Sequence, residues 1–404
     1  MAFELRLPVN LASQHFSDNK QAYYSYLREH EPVHKGRVML FGFWLVSRYE
    51  DCMTVLKHDK ILRNRSTATG GGSRFPFPMP KSVRTLANSM ITEDEPDHRR
   101  LRNLVHQAFV PRRLKHLENR IETLTHELLD KAEKRQTIDL IESYSLPIPV
   151  TVISEMVGVR THEVPEFSRH MKALSGFGGL KLLQTLFLGL PQAIRFAKKL
   201  IERKRKQPAD DILSGLIEAE DQGNQLSEDE LVAMVFLLIF AGYETTVHLI
   251  TNAVQTLLNH PDQLALLQQQ PELMESAIEE VTRFNGPIHA TKPGYTSEDI
   301  TIAGVSIPKG KPVIPLLGSA NWDPEIFTDP EVFDITRTPN RHLGFGHGIH
   351  FCLGAPLARM ETRIALTNLL ERNPDLSMAV PQSQLRIQRI PMWHRFETLP
   401  IKLR

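Results

Sequence analysis

The sequence predicts a mainly α-helical fold with a small β subdomain, built around one long central helix. Three observations lead there. Amphipathic stretches at helical period run through most of the chain, β-type runs are short and far apart, and one capped apolar segment continues without a proline from Ser227 to Pro261.

With 404 residues the chain can bury a large apolar interior. Helical patterning is clearest at Lys20–His30, Asp94–Gln107, Arg113–Ala132, Gln192–Lys204 and Pro356–Glu371. Strand signals sit at Val38–Val46, Ile300–Pro315 and Leu399–Leu403, and are expected to pair into one side sheet. Two glycine- and proline-marked stretches, Ala68–Pro80 (containing Phe75 and Phe77) and Ser175–Pro191, have the composition of lids over an apolar pocket. An ordinary loop around a short packed helix fits the same pattern.

Charge excludes some partners. Lys plus Arg number 48 against 47 Asp plus Glu, for a formal charge of +1, which supports neither a nucleic-acid partner nor a polybasic anchor. Only Cys52 and Cys352 are available, so a disulfide framework or a paired-cysteine zinc site is not expected. The start, MAFELRLPVNLASQHF, lacks the pattern of a signal peptide, and a cytoplasmic chain is expected. The longest apolar run, Leu231–Gly242, falls short of the roughly 20 residues a bilayer span requires and reads as a buried core helix.

The central helix opens on a capping box. Ser227 caps backbone N–H groups, Glu230 reaches back, and Leu226 and Leu231 bracket the pair. Continued to the next proline, the helix should be on the order of 48 Å long. Its middle, Ala241-Gly242-Tyr243-Glu244-Thr245-Thr246, breaks the local pattern with an interior glycine, a carboxylate and two hydroxyls. By itself this segment reads as a place where the helix surfaces and Glu244 meets water.

In Pro271–Phe284, the residues Met274, Ala277, Ile278, Val281 and Phe284 form an apolar stripe. Glu280 falls at its edge with Arg283 one turn on, while Glu279 points further away. A pair at the core boundary would be a clamp that is costly to break from one side.

The segment Leu343–Arg359, LGFGHGIHFCLGAPLAR, rings Cys352 with glycines and then opens a helix at Pro356. A cysteine just ahead of a helix N-terminus, among approachable backbone N–H groups, has the surroundings of a thiolate. Cys52, inside YEDCMTVLK, reads instead as a buried, inert cysteine.

Phe345-x-x-Gly348-x-x-x-Cys352-x-Gly354 resembles the heme-binding loop of cytochromes P-450. Upstream, Ala241-Gly242-x-Glu244-Thr245 looks like that family's oxygen-activating segment, Glu280-x-x-Arg283 like its structural ion pair, and His98-Arg99-Arg100-Leu101-Arg102 like its propionate-contacting helix. Asn340-Arg341-His342 sits where its meander joins the heme loop.

The resemblance covers nearly the whole chain and implies a cytochrome P-450 fold, residues 1–404 as a single catalytic domain, and a long central helix over a buried heme. It implies heme b (iron protoporphyrin IX) with Cys352 on the metal, and His98, Arg102, Ala241, Phe345, Gly346, His350 and Gly354 around the cofactor. Glu244 and Thr245 would be catalytic, and Phe75, Phe77, Phe240, Ile288, Ala290 and Met392 would line the substrate pocket.

The implied activity is monooxygenation of an apolar small molecule, as in bacterial members that hydroxylate polyketides, macrolides and fatty-acid-like compounds. Ferredoxin and ferredoxin reductase would pass on electrons from NAD(P)H, since the chain is too short to carry its own reductase. A peroxide-driven hydroxylase of the same fold, a thiolate-heme isomerase or reductase, and a non-enzymatic heme sensor are the alternatives; the Glu244–Thr245 pair disfavours the peroxide-driven enzyme and the sensor. A monomer without a membrane span is expected. An acidic electron carrier is expected to dock on Arg99, Arg100, Arg112, Arg113 and Arg363. One departure stands out: where many bacterial members place a propionate-binding arginine, this chain has Gly294, with Lys292 as the nearby substitute.

Overall fold

The computed structural model describes residues 4–74, 79–108, 111–164, 184–221 and 226–403. The chain separates into two compact units. The first comprises Met1–Arg74, Glu122–Ser145 and Thr245–Arg404, and the second Phe75–Ile121 and Leu146–Glu244.

All strands described lie in the first unit. Five of them form a sheet in the order β1 (Val33–Val38), β2 (Phe41–Val46), β8 (Pro312–Pro315), β5 (Gly294–Thr296), β3 (Ile61–Leu62). β4 (Thr137–Asp139), β10 (Pro400–Lys402) and β9 (Ser377–Met378) make a second sheet, and β6 (Ile300–Ile302) with β7 (Val305–Ile307) a third. The expected single sheet is therefore three. Val38–Val46 is also not one strand: β1 and β2 pair antiparallel from Val33↔Val46 to Val38↔Phe41, and the chain reverses at Met39, whose φ is 56°. The apolar run hid the turn because Met and Leu, rather than Asn or Gly, occupy it.

The sheet is buried by helices that the periodicity located well. Lys20–His30 lays Tyr23, Tyr24 and Leu27 against Leu45, Ile314 and Leu316. Tyr49–Lys57 packs Cys52 and Val55 against Val46, Val313 and Leu317. Cys52 Sγ–H donates to the Val46 carbonyl at 3.2 Å, and burial pushes its thiol far up, so it is the inert cysteine its sequence context implied.

The second unit contains the helices Asp97–Ala108, Pro147–Met156, Leu190–Lys206 and Ile212–Asp221, together with residues 228–244 of the long helix. That helix runs Glu228–Asn259, 32 residues, without a break. Its capping box forms as expected: the Ser227 N–H donates to Glu230 Oε2 at 2.8 Å and the Glu230 N–H to Ser227 Oγ at 3.2 Å. Among the described residues it is the helix long and apolar enough to cross a membrane, but 67% of its most apolar window is buried, which marks a core helix. Residues 75–78 of the Ala68–Pro80 stretch, which include Phe75 and Phe77, and residues 175–183 of the Ser175–Pro191 stretch lie outside the described residues.

Candidate active site

The cysteine loop is shaped by close approaches that only glycine permits. A Cβ on Gly344 would lie 2.4 Å from Thr282 Cγ2, and one on Gly348 2.6 Å from the Leu56 carbonyl oxygen. Gly346 and Gly348 also take left-handed φ values of 71° and 72°. The Leu343 N–H donates to Asn321 Oδ1 at 2.7 Å, and the Cys352 N–H closes the loop on the Phe345 carbonyl at 2.9 Å. Cys352 is exposed, three residues before the helix Ala355–Arg372, whose cap is Gly354. Phe345, Gly346, His350, Cys352 and Gly354 are thus held in one turn-rich loop of the first unit.

The helix Met274–Asn285 supports this loop through two carboxylates. Glu280 and Arg283 have side chains that are 0% exposed. Glu280 accepts from Arg283 Nη2 (2.7 Å) and Nε (2.8 Å), from Asn340 Nδ2 (3.0 Å), from Arg337 Nε (3.2 Å) and from the Asp334 N–H (3.1 Å). Arg283 also donates to the carbonyls of Asn321, Pro330 and Val332, so neither buried charge lacks partners.

Glu279 corrects the sequence reading. It does not merely point away: its two oxygens accept from Arg359 Nε and Nη2, and His342 Nε2 lies 3.0 Å from Oε2. Burial alone would raise this carboxyl, but the hydrogen bonds and charges of Arg359 and His342 outweigh it and hold the group at about 2. Periodicity placed Glu279 off the apolar stripe correctly. What it could not show is that the helix following Cys352 passes on that side.

On the long helix, Ala241 is exposed and Phe236, Leu237, Phe240, Gly242 and Thr245 are half-buried, while the other residues from 231 to 250 are buried. Leu237, Ala241 and Thr245 lie one turn apart on a single open stripe. Glu244 is only 4% exposed, so the reading in which it meets water is overturned. Gly242 has a packing reason in the second unit: a Cβ there would come within 2.9 Å of Ile153 Cδ1. His98, buried, and Arg102, half-buried, sit one turn apart on Asp97–Ala108. Burial first and the Arg102 charge second push the His98 imidazole down, favouring its neutral form.

A family model described as Cytochrome P450 matches residues 190–374. The polyketide biosynthesis cytochrome P450 PksS of Bacillus subtilis (strain 168) is 39% identical over 386 residues, covering 93% of this chain and 94% of that protein. The chain belongs to the cytochrome P450 family. The solved structure of PksS superposes with a TM-score of 0.90 at 37% identity, covering 98% of this P450 and 99% of that chain. Mycinamicin IV hydroxylase/epoxidase of Micromonospora griseorubida is 39% identical over 90% of each protein. P450BioI, solved in complex with an acyl carrier protein ligated to hexadec-9Z-enoic acid, has a TM-score of 0.87 and 35% identity, covering 97% of this P450 and 100% of that chain.

As a P450 monooxygenase the chain uses heme, and two features of its own structure fit that group. An exposed thiol precedes a helix N-terminus in a loop closed by backbone hydrogen bonds, and a buried helix presents one open stripe of small and apolar residues. Cys352 would hold the iron, and His350 in the same loop would offer a donor to a propionate. Thiolate-ligated heme supplies the oxygen-activating chemistry when bound. The long helix itself carries a buried carboxyl, Glu244, and a half-buried hydroxyl, Thr245, next to each other in sequence.

Of the pocket residues named from sequence, Phe240 lies in the second unit, and Ile288, Ala290 and Met392 lie in the first. Phe240 stacks on Phe236 and meets Tyr243 edge-on. Ile288 is half-buried and bridges to Trp393. Ala290 is buried in the core beneath the sheet, and its N–H donates to the carbonyl of Met392, which has a φ of 70°. At the departure from the family pattern, Gly294 is buried and a Cβ would lie 2.4 Å from Ile61 Cγ2. The pairing Leu62↔Tyr295, carried one residue on, sets Arg63 opposite Gly294. Arg63 Nη1 donates to Thr291 Oγ1 (3.3 Å) and to the Lys292 carbonyl, while Lys292 itself is exposed. The cation fixed beside this position is Arg63, which no sequence pattern singled out.

Proposed function

We propose that the whole chain acts as one catalytic domain that inserts an oxygen atom from O2 into an apolar polyketide, macrolide or fatty-acyl substrate. Ferredoxin and ferredoxin reductase are the proposed electron source, and the enzyme is proposed to work as a cytoplasmic monomer. The observation that carries this reading is the placement of Cys352: an exposed thiol in a hydrogen-bonded glycine loop, tied to its supporting helix through Glu279 and Arg359. The substrate class is supported by relatives named for polyketide biosynthesis and for hydroxylation or epoxidation of mycinamicin IV. Glu244 and Thr245 are the proposed proton-handling pair, and Ala241 is a proposed cofactor-binding residue. Because a relative is solved with an acylated carrier protein, carrier-borne acyl chains belong to the proposed substrate class.

Of the expected electron-carrier surface, Arg99 is exposed and pairs with Glu95, and Arg100 is engaged by Asp97 and Glu230. The side chains of Arg112 and Arg113 lie outside the described residues. Arg99 in the second unit and half-buried Arg363 in the first are therefore separate candidates for that part of the proposal.

The test is a spectral titration of the heme-loaded protein with macrolactones, polyketide fragments and free fatty acids, followed by turnover with ferredoxin, its reductase and NAD(P)H. Hydroxylated or epoxidised product, with oxygen from labelled O2, is the expected result. Product formed only from added hydrogen peroxide would move the protein to the peroxide-driven class.

A further inference from the structure

The helix Leu190–Lys206 of the second unit carries a charge imbalance that catalysis does not use. Its 17 residues include the cations Arg195, Lys198, Lys199, Arg203, Lys204, Arg205 and Lys206 against one anion, Glu202, in a chain whose formal charge is only +1. Several cations are engaged: Lys198 by Glu228, Lys204 by Asp211 in the interior, and Arg203 by Glu163. Arg195 and Lys199 are exposed and have no ion-pair partner among the described residues. With Arg203 they form a stripe at successive turns, although like charges one turn apart weaken a helix. The buried face, Ala193, Ala197, Leu200 and Ile201, explains the packing of this helix but not its cationic stripe.

Two further observations lie beside the stripe. Gln192, Arg195, Lys199, Arg203 and Glu163 rim a cavity of about 470 Å³ whose apolar wall is Phe196 and Leu200. Just before the helix, Phe187 and Leu188 are 62% and 60% exposed, large apolar side chains held out from the surface. Apolar anchors beside a cationic rim are the make-up of a protein interface.

We infer that this face docks an acidic acyl carrier protein that delivers the substrate. The inference rests on the function proposed above. A carrier protein presents an acidic surface around a serine that bears a phosphodiester-linked pantetheine arm. The stripe complements the acidic surface, the cavity offers cations to the phosphodiester and an apolar wall to the arm, and Phe187 and Leu188 anchor the contact. An electron carrier delivers no tethered substrate and has no use for the cavity beside the stripe. A bare membrane surface would complement the stripe but has no use for the cavity beside it, where Glu163 pairs with Arg203.

The test uses the heme-loaded full chain, with a hexadecanoyl acyl carrier protein, the same carrier without its arm, and free hexadecanoic acid as probes. Binding is measured by calorimetry at about 0.05 and 0.3 M salt. The wild type should bind the acylated carrier, more weakly at high salt. Arg195→Glu/Lys199→Glu should weaken it at least about tenfold, and the milder Arg195→Gln/Lys199→Gln by a smaller factor in the same direction. Both variants should keep the thiolate carbon-monoxide band and the spectral response to free hexadecanoic acid. The inference falls if the wild type does not bind the carrier, or if both variants bind it as the wild type does. It falls also if the substitutions instead slow reduction by ferredoxin or release the protein from phosphatidylglycerol vesicles. In each of these cases an intact carbon-monoxide band and free-acid response leave the proposed function standing, whereas loss of the band in wild type would overturn that function itself.

Discussion

Arg359 donates from Nε and Nη2 to the two oxygens of Glu279, at 2.6 and 2.7 Å, while its guanidinium carbon stands 4.4 Å from the centroid of the Phe345 ring. One arginine thus ties the helix after Cys352 to the helix before the loop and covers the aromatic residue that begins it. Since His342 also contacts Glu279, both ends of the cysteine loop converge on this carboxylate.

Glu279→Ala is therefore expected to loosen the loop. Partial exposure, 28% for Glu279 and 38% for Arg359, keeps the effect moderate, about 1 kcal/mol. The thiolate carbon-monoxide band should decay faster on warming than in wild type, and Glu279→Gln should be intermediate. Decay indistinguishable from that of the exposed-surface variant Glu272→Ala would show that the network does not support the loop.

Glu280→Ala should be far more damaging. It strands Arg283 and takes partners from Arg337 and Asn340, and one-sided removal of a buried pair costs roughly 3–5 kcal/mol. Little heme-loaded protein should be recovered. Recovery and melting temperature equal to those of Glu279→Ala would contradict the ranking.

Cys352→Ala should abolish the thiolate carbon-monoxide band, whereas Cys52→Ala should retain it at some cost in stability, because Cys52 is a packing residue. A normal band in the Cys352 variant would refute the assignment of the metal ligand.

Thr245→Ala and Glu244→Gln should still bind heme and substrate but divert reducing equivalents to hydrogen peroxide. The check is product formed per NAD(P)H consumed with saturating redox partners. Unchanged coupling in both variants would remove these residues from proton handling. A partial effect in one is compatible with ordered water substituting for a lost hydroxyl.

Lys20 gives a pH test. Its ammonium is buried, donating to the Trp393 carbonyl at 2.6 Å, and burial, opposed only weakly by Asp18, lowers it from 10.5 to about 7. Between those values the unfolded chain holds a proton that the folded chain releases, so this residue makes stability rise with pH across that window. Lys20→Met should flatten the rise in urea midpoint between pH 7 and 10 relative to wild type. Parallel profiles for the two proteins would mean that Lys20 titrates normally in the fold.

Helix positions, the capping box at Ser227, the glycine-ringed Cys352 and the Glu280–Arg283 pair were legible in the sequence because each is a local pattern. Period, cap chemistry and a short spacing between residues are set by neighbours in the chain. Tertiary structure alone decided that Glu280 is wholly buried, that Glu279 joins Arg359 and His342, that Gly242 makes room for Ile153, and that Arg63 stands across from Gly294. It also paired β2 with β8, placing Trp44 beside Val313. These contacts join residues scores to hundreds of positions apart, and no period or local propensity encodes which distant segment arrives alongside. That is settled only when the apolar faces find their packing and each buried charge must meet the donors or acceptors that packing brings within reach.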